Sequence, residues 1–175
     1  PDALIEVARG GHTEHFLPRP GACTGRLWHY EHASDHLNLC LDSGHYEFEA
    51  IVQGTFRPGF VCVGRVEAPP GRTKINGSPV GPEDVQVYPE DAEFVYHAPP
   101  GTRWAALQFR REDLERTAVQ HLGRGVDLSR RAITNLRIDP LGRVLLRRLT
   151  EAALAPRNAQ EEDVMGGVVL QGVAE

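Results

Sequence analysis

Six of the chain's eight histidines fall before position 50, at His12, His15, His29, His32, His36 and His45, which makes metal binding the first chemistry to consider. Imidazole is a frequent ligand for zinc, iron and copper, but a site needs several ligands converging on one point. Two residues separate His29 from His32, and on a strand that spacing sends the two rings to opposite faces. Exposed or loop histidines are the expectation, and no metal or other cofactor is assigned. Catalysis fares no better. The sequence has no serine elbow, no Cys-His pairing cue, no glycine-rich phosphate loop and no carboxylate dyad. Glu47 and Glu49 share a strand face, but it is the face that looks to water. No catalytic residue is assigned, and the chain is not read as an enzyme. The odd set of cysteines, Cys23, Cys40 and Cys62, contains no closely spaced pair. Cys40 and Cys62 sit in the apolar runs 37–41 and 60–63, where a thiol serves as a small buried hydrophobe in a reducing compartment.

The elements that would position any site are β-rich. Thirteen prolines and eighteen glycines punctuate short apolar runs, and the 175 residues suffice for one sizeable core. The first stretch, to about residue 34, reads as irregular, with one strand near 25–31. Strands are then expected at 37–41, 46–52, 60–67, 85–88, 93–98 and 104–110, with Asp42-Ser43-Gly44 as a turn. Asn76-Gly77 marks a two-residue hairpin between 73–75 and 79–80, because both residues tolerate positive φ. Past Arg110 the apolar period lengthens to that of helices. One helix is expected at 112–122, ending at Gly123, with Leu114, Ala118 and Leu122 on one stripe. A second is expected at 140–155, with Leu141, Val144, Leu145, Leu149 and Ala152 on one face. A third, interrupted by Gly166-Gly167, is expected within 160–175. The organisation is therefore a β-rich body over 1–110 and a helical part over 111–175.

A net charge of −5 and a pI near 5.9 give this segment no electrostatic reason to approach a phosphate backbone. No run approaches the length of a membrane span, and the N-terminus lacks the layout of a secretion signal, so a cytoplasmic protein is expected. The chain starts at Pro1 and its one methionine is Met165, which reads as a piece of a longer protein.

The run Asn76-Gly77-Ser78-Pro79-Val80-Gly81-Pro82-Glu83-Asp84-Val85-Gln86-Val87-Tyr88-Pro89 resembles the hairpin, loop, acidic residue, strand and proline of cupin barrels. Its continuation through Pro100-Gly101-Thr102-Arg103-Trp104, then Phe109 and Arg111-Glu112-Asp113-Leu114, resembles the sensor domain of AraC-family transcription regulators. The resemblance spans residues 37 to 155. It implies a cupin-like antiparallel β-barrel, or jelly roll, that binds a small-molecule effector, followed by two or three helices that join a homodimer. In that family a C-terminal helix-turn-helix half reads DNA, and no basic recognition helix follows Ala155 here. Enzymatic cupins hold a metal with two histidines one residue apart, a carboxylate and a later histidine; only His97 has a similar place. The expected ligand-binding residues of the barrel interior are Phe48, Phe60, Tyr96, His97 and Trp104, of which the adjacent Tyr96 and His97 should face opposite ways. The expected dimer contacts are Leu141, Leu145, Leu149 and Ala152. Two other readings stay open: a metal-dependent cupin enzyme, such as a dioxygenase or isomerase, and an interaction module whose body is merely structural.

Overall fold

The computed structural model describes residues 4–5, 11–16, 22–33, 38–67, 73–127, 132–154 and 167–173, with side chains described for 28–31, 38–67, 73–127, 132–148 and 150–151. The turn-punctuated runs form strands β1 (Leu4–Ile5), β2 (Gly11–Phe16), β3 (Ala22–Ala33), β4 (Asn38–Tyr46), β5 (Ala50–Phe56) and β6 (Phe60–Glu67). Strands β7 (Lys74–Ile75), β8 (Ser78–Pro79), β9 (Asp84–Tyr88), β10 (Glu93–Ala98) and β11 (Thr102–Arg110) follow. Helix α1 (Arg111–Leu122), β12 (Thr134–Arg137), helix α2 (Pro140–Leu154) and β13 (Gly167–Val173) complete the order.

All described pairings are antiparallel, in two sheets. The first runs β1-β2-β5-β10-β7-β8 and the second β12-β9-β6-β11-β4-β3-β13. From β4 to β11 every connection except the β7–β8 hairpin crosses between sheets. Apolar residues of both inner faces, including Ala50, Val52, Phe94 and Tyr96 from the first and Tyr46, Cys62, Val66, Tyr88 and Ala106 from the second, form one core. Among the described residues, a mainly β body followed by two helices is thus present. The closed barrel is not: among the described residues the sheets do not join, and each keeps its own edge strands.

Several expectations are met in detail. Asn76 (φ 47) and Gly77 (φ 79) both adopt the left-handed conformation that the β7–β8 turn requires. Asn76 also accepts the N–H of Val95 at 2.7 Å, which docks the hairpin on β10. Helix α1 ends on Gly123 (φ 66), whose N–H reaches the Val119 carbonyl. Helix α2 begins at Pro140, with Asp139 Oδ1 accepting the Gly142 N–H at 2.9 Å.

Four expectations are corrected. Asp42-Ser43-Gly44 is no turn but the middle of β4, because Asp42 and Gly44 occupy inward positions of a strand whose neighbours accept them. The run 46–52 is not one strand. Tyr46 ends β4 in one sheet and Ala50 starts β5 in the other, with buried Phe48 at the corner, so the alternation describes the shared core. The N-terminal stretch is not irregular but contributes β1, β2 and the twelve-residue β3. Within 160–175, where a third helix is expected, the described residues 167–173 form β13, whose Val168, Val169 and Leu170 pair along β3 opposite Leu27, Arg26 and Gly25.

Helix α1 is tied to the second sheet by a carboxylate. Asp113 Oδ2 accepts the backbone N–H of Asn38 at 3.0 Å and its side-chain amide at 3.2 Å, and Arg116 pairs with Oδ1. The Asn38 N–H above all, then the Asn38 amide and Arg116, hold the Asp113 carboxyl below its ordinary value against the opposing effect of burial. A carboxylate whose folded pKa is depressed stabilises fully above the unfolded value and loses that contribution as pH falls through the folded one. Asp113→Ala should therefore cost about 2 kcal/mol at neutral pH. In urea unfolding across a pH series, the gap to wild type should narrow in and below the carboxylate range; a pH-independent gap would refute the assignment.

Candidate functional site

The inner face of the second sheet is unusually polar for the inside of a sandwich. Register aligns Gln86 of β9, Gly64 of β6, Ala106 of β11, Asp42 of β4 and His29 of β3 in one cross-strand row. The next row holds Tyr88, Cys62, Gln108, Cys40 and Glu31. Glycine in the middle of the first row makes room for the neighbouring Tyr88 and Gln86 side chains. A Cβ built on Gly64 would sit 2.9 Å from the Tyr88 ring and 3.6 Å from both the Gln86 Oε1 and the Tyr88 hydroxyl.

Side chains of both rows meet at β3, β4 and β11. His29 Nδ1 lies 2.7 Å from Asp42 Oδ1 and 3.7 Å from Cys40 Sγ. Gln108 Nε2 donates to Asp42 Oδ2 at 2.8 Å, and the Cys40 thiol lies 3.7 Å from that oxygen. Asp42 is 4% exposed and Gln108 1%, so these polar groups exchange water for one another. Burial first, then the Asp42 and Glu31 carboxylates, push the Cys40 thiol well above its ordinary value, while Arg57 acts weakly the other way.

This arrangement is not a thiol-histidine-carboxylate catalytic relay. Such a relay uses one ring nitrogen for the thiol and the other for the carboxylate, whereas both contacts here converge on His29 Nδ1. A thiol held protonated is also a poor nucleophile. What the cluster offers instead is an imidazole nitrogen, a sulfur and a carboxylate oxygen within 4.8 Å of one another.

Further polar atoms lie unsatisfied in the same interior. Among the described residues, both amide atoms of Gln86, the Tyr96 hydroxyl and Gln108 Oε1 are buried without a hydrogen-bond partner. Burial, and to a lesser degree Tyr46, push the Tyr96 phenol up, so it is a neutral hydroxyl.

Of the ligand-binding residues expected from sequence, Phe48 and Tyr96 belong to the shared core and Trp104 packs against it. Phe60 is also buried but lies outside that cluster, with the Arg57 guanidinium 5.2 Å above its ring. His97 does not join them. It faces away from the core, and its Nε2 lies 2.8 Å from Glu49 Oε1 at a half-exposed pair, as alternation with inward Tyr96 requires. Leu141 (68% exposed) and Leu145 (52%) point away from the sheet, whereas Leu146 packs on Leu41, Ala105 and Leu107. The side chains of Leu149 and Ala152 lie outside the described residues, as do those of His12, His15, His32, His36 and Cys23.

Sequence reasoning missed Asp42, Gln86 and Gln108 and gave Cys40 only a packing role. The available signal was the inward alternation Cys40-x-Asp42 opposite a histidine, which the assumed turn at 42–44 concealed. No family model, curated protein or solved structure matches the chain.

Proposed function

We propose that the chain is the effector-sensing and dimerising domain of a transcription regulator of the AraC type, with a cupin-like jelly roll as its body. The observation that carries this reading is the two-sidedness of β11. Its Trp104, Ala106 and Gln108 face the polar interior, and the intervening Ala105 and Leu107 pack with Leu146 of α2 on the other side. An effector engaging the inward groups of β11 would press on the strand that seats α2. The strand order β9-β6-β11-β4 facing β5-β10-β7-β8 supports the jelly roll, because it is the connectivity of two interwound Greek keys. The unsatisfied Gln86, Tyr96 and Gln108 atoms favour a small polar effector, since a buried polar atom left unpaired is destabilising until something pairs with it. The exposed Leu141, Val144 and Leu145 of α2 suit a two-fold seam, in which one patch meets its own copy.

A panel of small polar metabolites, read by melting temperature and by sedimentation, tests both halves. An effector at about 100 times its Kd should stabilise by about 2.7 kcal/mol, and should raise Tm by roughly 5–10 °C for a domain of this size. It should also shift the monomer-dimer equilibrium, as effector and self-association bias the same arrangement. Leu141→Asp with Leu145→Asp should yield monomers that still respond in Tm. A dimer unchanged by both substitutions, or a flat panel, would overturn the reading.

A further inference from the structure

We propose that His29 Nδ1, Cys40 Sγ and an Asp42 carboxylate oxygen bind one borderline divalent cation of the zinc type, with Gln108 completing the site. The inference goes beyond the sensor reading and stands without it.

The donor set selects the ion class. Magnesium and calcium require oxygen-rich cages, whereas a thiolate combined with an imidazole favours zinc and its neighbours. The spacing is compatible with a tetrahedral site. With the usual Zn–S, Zn–N and Zn–O lengths, tetrahedral edges are roughly 3.4–3.6 Å. The Sγ–Nδ1 separation is 3.7 Å. The carboxylate meets the thiol through Oδ2 at 3.7 Å and the imidazole through Oδ1 at 2.7 Å, and a turn of the carboxyl group would bring a single oxygen toward tetrahedral distance from both. One ligand atom from each of the three residues already lies within 4.8 Å of the other two.

The backbone supplies rigidity. His29 and Asp42 are direct register partners on β3 and β4, and Cys40 is two residues from Asp42 on the same face. Gln108 offers an independent indication. It is 1% exposed, its amide end lies 2.8 Å from Asp42 and 3.9 Å from Cys40, and its Oε1 has no partner among the described residues. A half-turn of that amide presents Oε1 as a fourth ligand.

Charge closes as well. On binding, the Cys40 thiol proton leaves to water, and the single proton of neutral His29 passes by way of water from Nδ1 to Nε2, so that Nδ1 gives its lone pair to the ion. Thiolate and carboxylate then neutralise the dication, which suits a site this buried. Cys62 cannot substitute for Cys40. Its register position is two strands away across β11, about 10 Å at normal strand spacing.

The test uses the full chain without a histidine tag, stripped with a chelator and titrated with Co²⁺ and then Zn²⁺. One equivalent of Co²⁺ should bind with a near-ultraviolet thiolate-to-cobalt charge-transfer band and the strong visible bands of a tetrahedral site, and Zn²⁺ should displace it. Cys40→Ser should lose the charge-transfer band, and Cys62→Ser should keep it. His29→Gln, at the more accessible end of the cluster, supplies a second variant whose folding is checked by circular dichroism; its Co²⁺ affinity should fall by about tenfold or more. The proposal is overturned if folded wild type shows no charge-transfer band, if the band survives in Cys40→Ser or disappears in Cys62→Ser, or if His29→Gln binds as tightly as wild type.

Discussion

Asp42→Ala, measured by urea unfolding of chelator-treated protein at neutral pH, should lose about 3–5 kcal/mol of stability, a large share of what a domain of this kind possesses. The carboxylate is the common acceptor for the part-buried His29 Nδ1 at 2.7 Å and the buried Gln108 Nε2 at 2.8 Å. Removing it leaves both without the acceptor that the described geometry gives them, and each such group costs about 1–3 kcal/mol. Gln108 suffers most, because its Oε1 is already unpaired and its amide would keep only the weak contact of Nε2 with Cys40 Sγ at 3.9 Å. Asp42→Asn keeps one acceptor oxygen but offers an N–H to the second donor, so it should fall between wild type and alanine. Asp42→Leu fills the space and yet should be nearly as damaging as alanine, since volume does not replace an acceptor. Pairing Asp42→Leu with Gln108→Met should recover part of the loss, because removing both partners is gentler than stranding one. Equal effects of the alanine and asparagine variants, or a loss below about 0.5 kcal/mol for alanine, would show that this network does not hold the sheet together.

The same network shows why the sequence was legible in some places and opaque in others. Strands whose inward residues are apolar were readable almost to the residue: 60–67 is β6 and 93–98 is β10. The Asn76-Gly77 turn and the Gly123 helix end were equally readable, since each rests on a local backbone requirement. Strand β4 was not, because Asp42-Ser43-Gly44 combines three residues that favour turns when water is available. Here Asp42 satisfies itself on β3 and β11, Ser43 Oγ donates to the Trp104 carbonyl at 2.8 Å, and Gly44 makes room for an indole. Those compensations come from strands far away in sequence, so no local window contains them. Segment 167–173 failed for a related reason: its strand state is fixed by pairing with β3, some 140 residues earlier, rather than by its own period. The candidate cluster has the same origin, as His29 sits beside Cys40 and Asp42 only through the β3–β4 register.

Gly44→Ala should destabilise by about 3 kcal/mol, and the loss should depend on Trp104. A Cβ at position 44 would lie 2.6 Å from Trp104 Cε2 and Nε1 and 2.7 Å from Cζ2, distances that real packing does not tolerate. The indole has little freedom to retreat. It lies 6.2 Å, centroid to centroid, from the ring of Tyr46, which is 1% exposed, and its strand is bonded to β4 on one side and β6 on the other. The added methyl must therefore move β11 or force the indole off its preferred rotamer. Trp104→Phe alone should also destabilise, by about 1–3 kcal/mol, through the gap left by the smaller ring. In the double variant the new methyl occupies part of that gap, so the loss should be smaller than the sum of the single losses by about 1 kcal/mol or more. This coupling separates packing from backbone effects. If the cost at position 44 came only from glycine's conformational freedom, it would persist whatever side chain stood at position 104, and the two losses would add. Because β11 also seats Leu146 of α2 through Ala105 and Leu107, the single Gly44→Ala variant should weaken the helix's protection from hydrogen exchange, and Trp104→Phe should restore it in part.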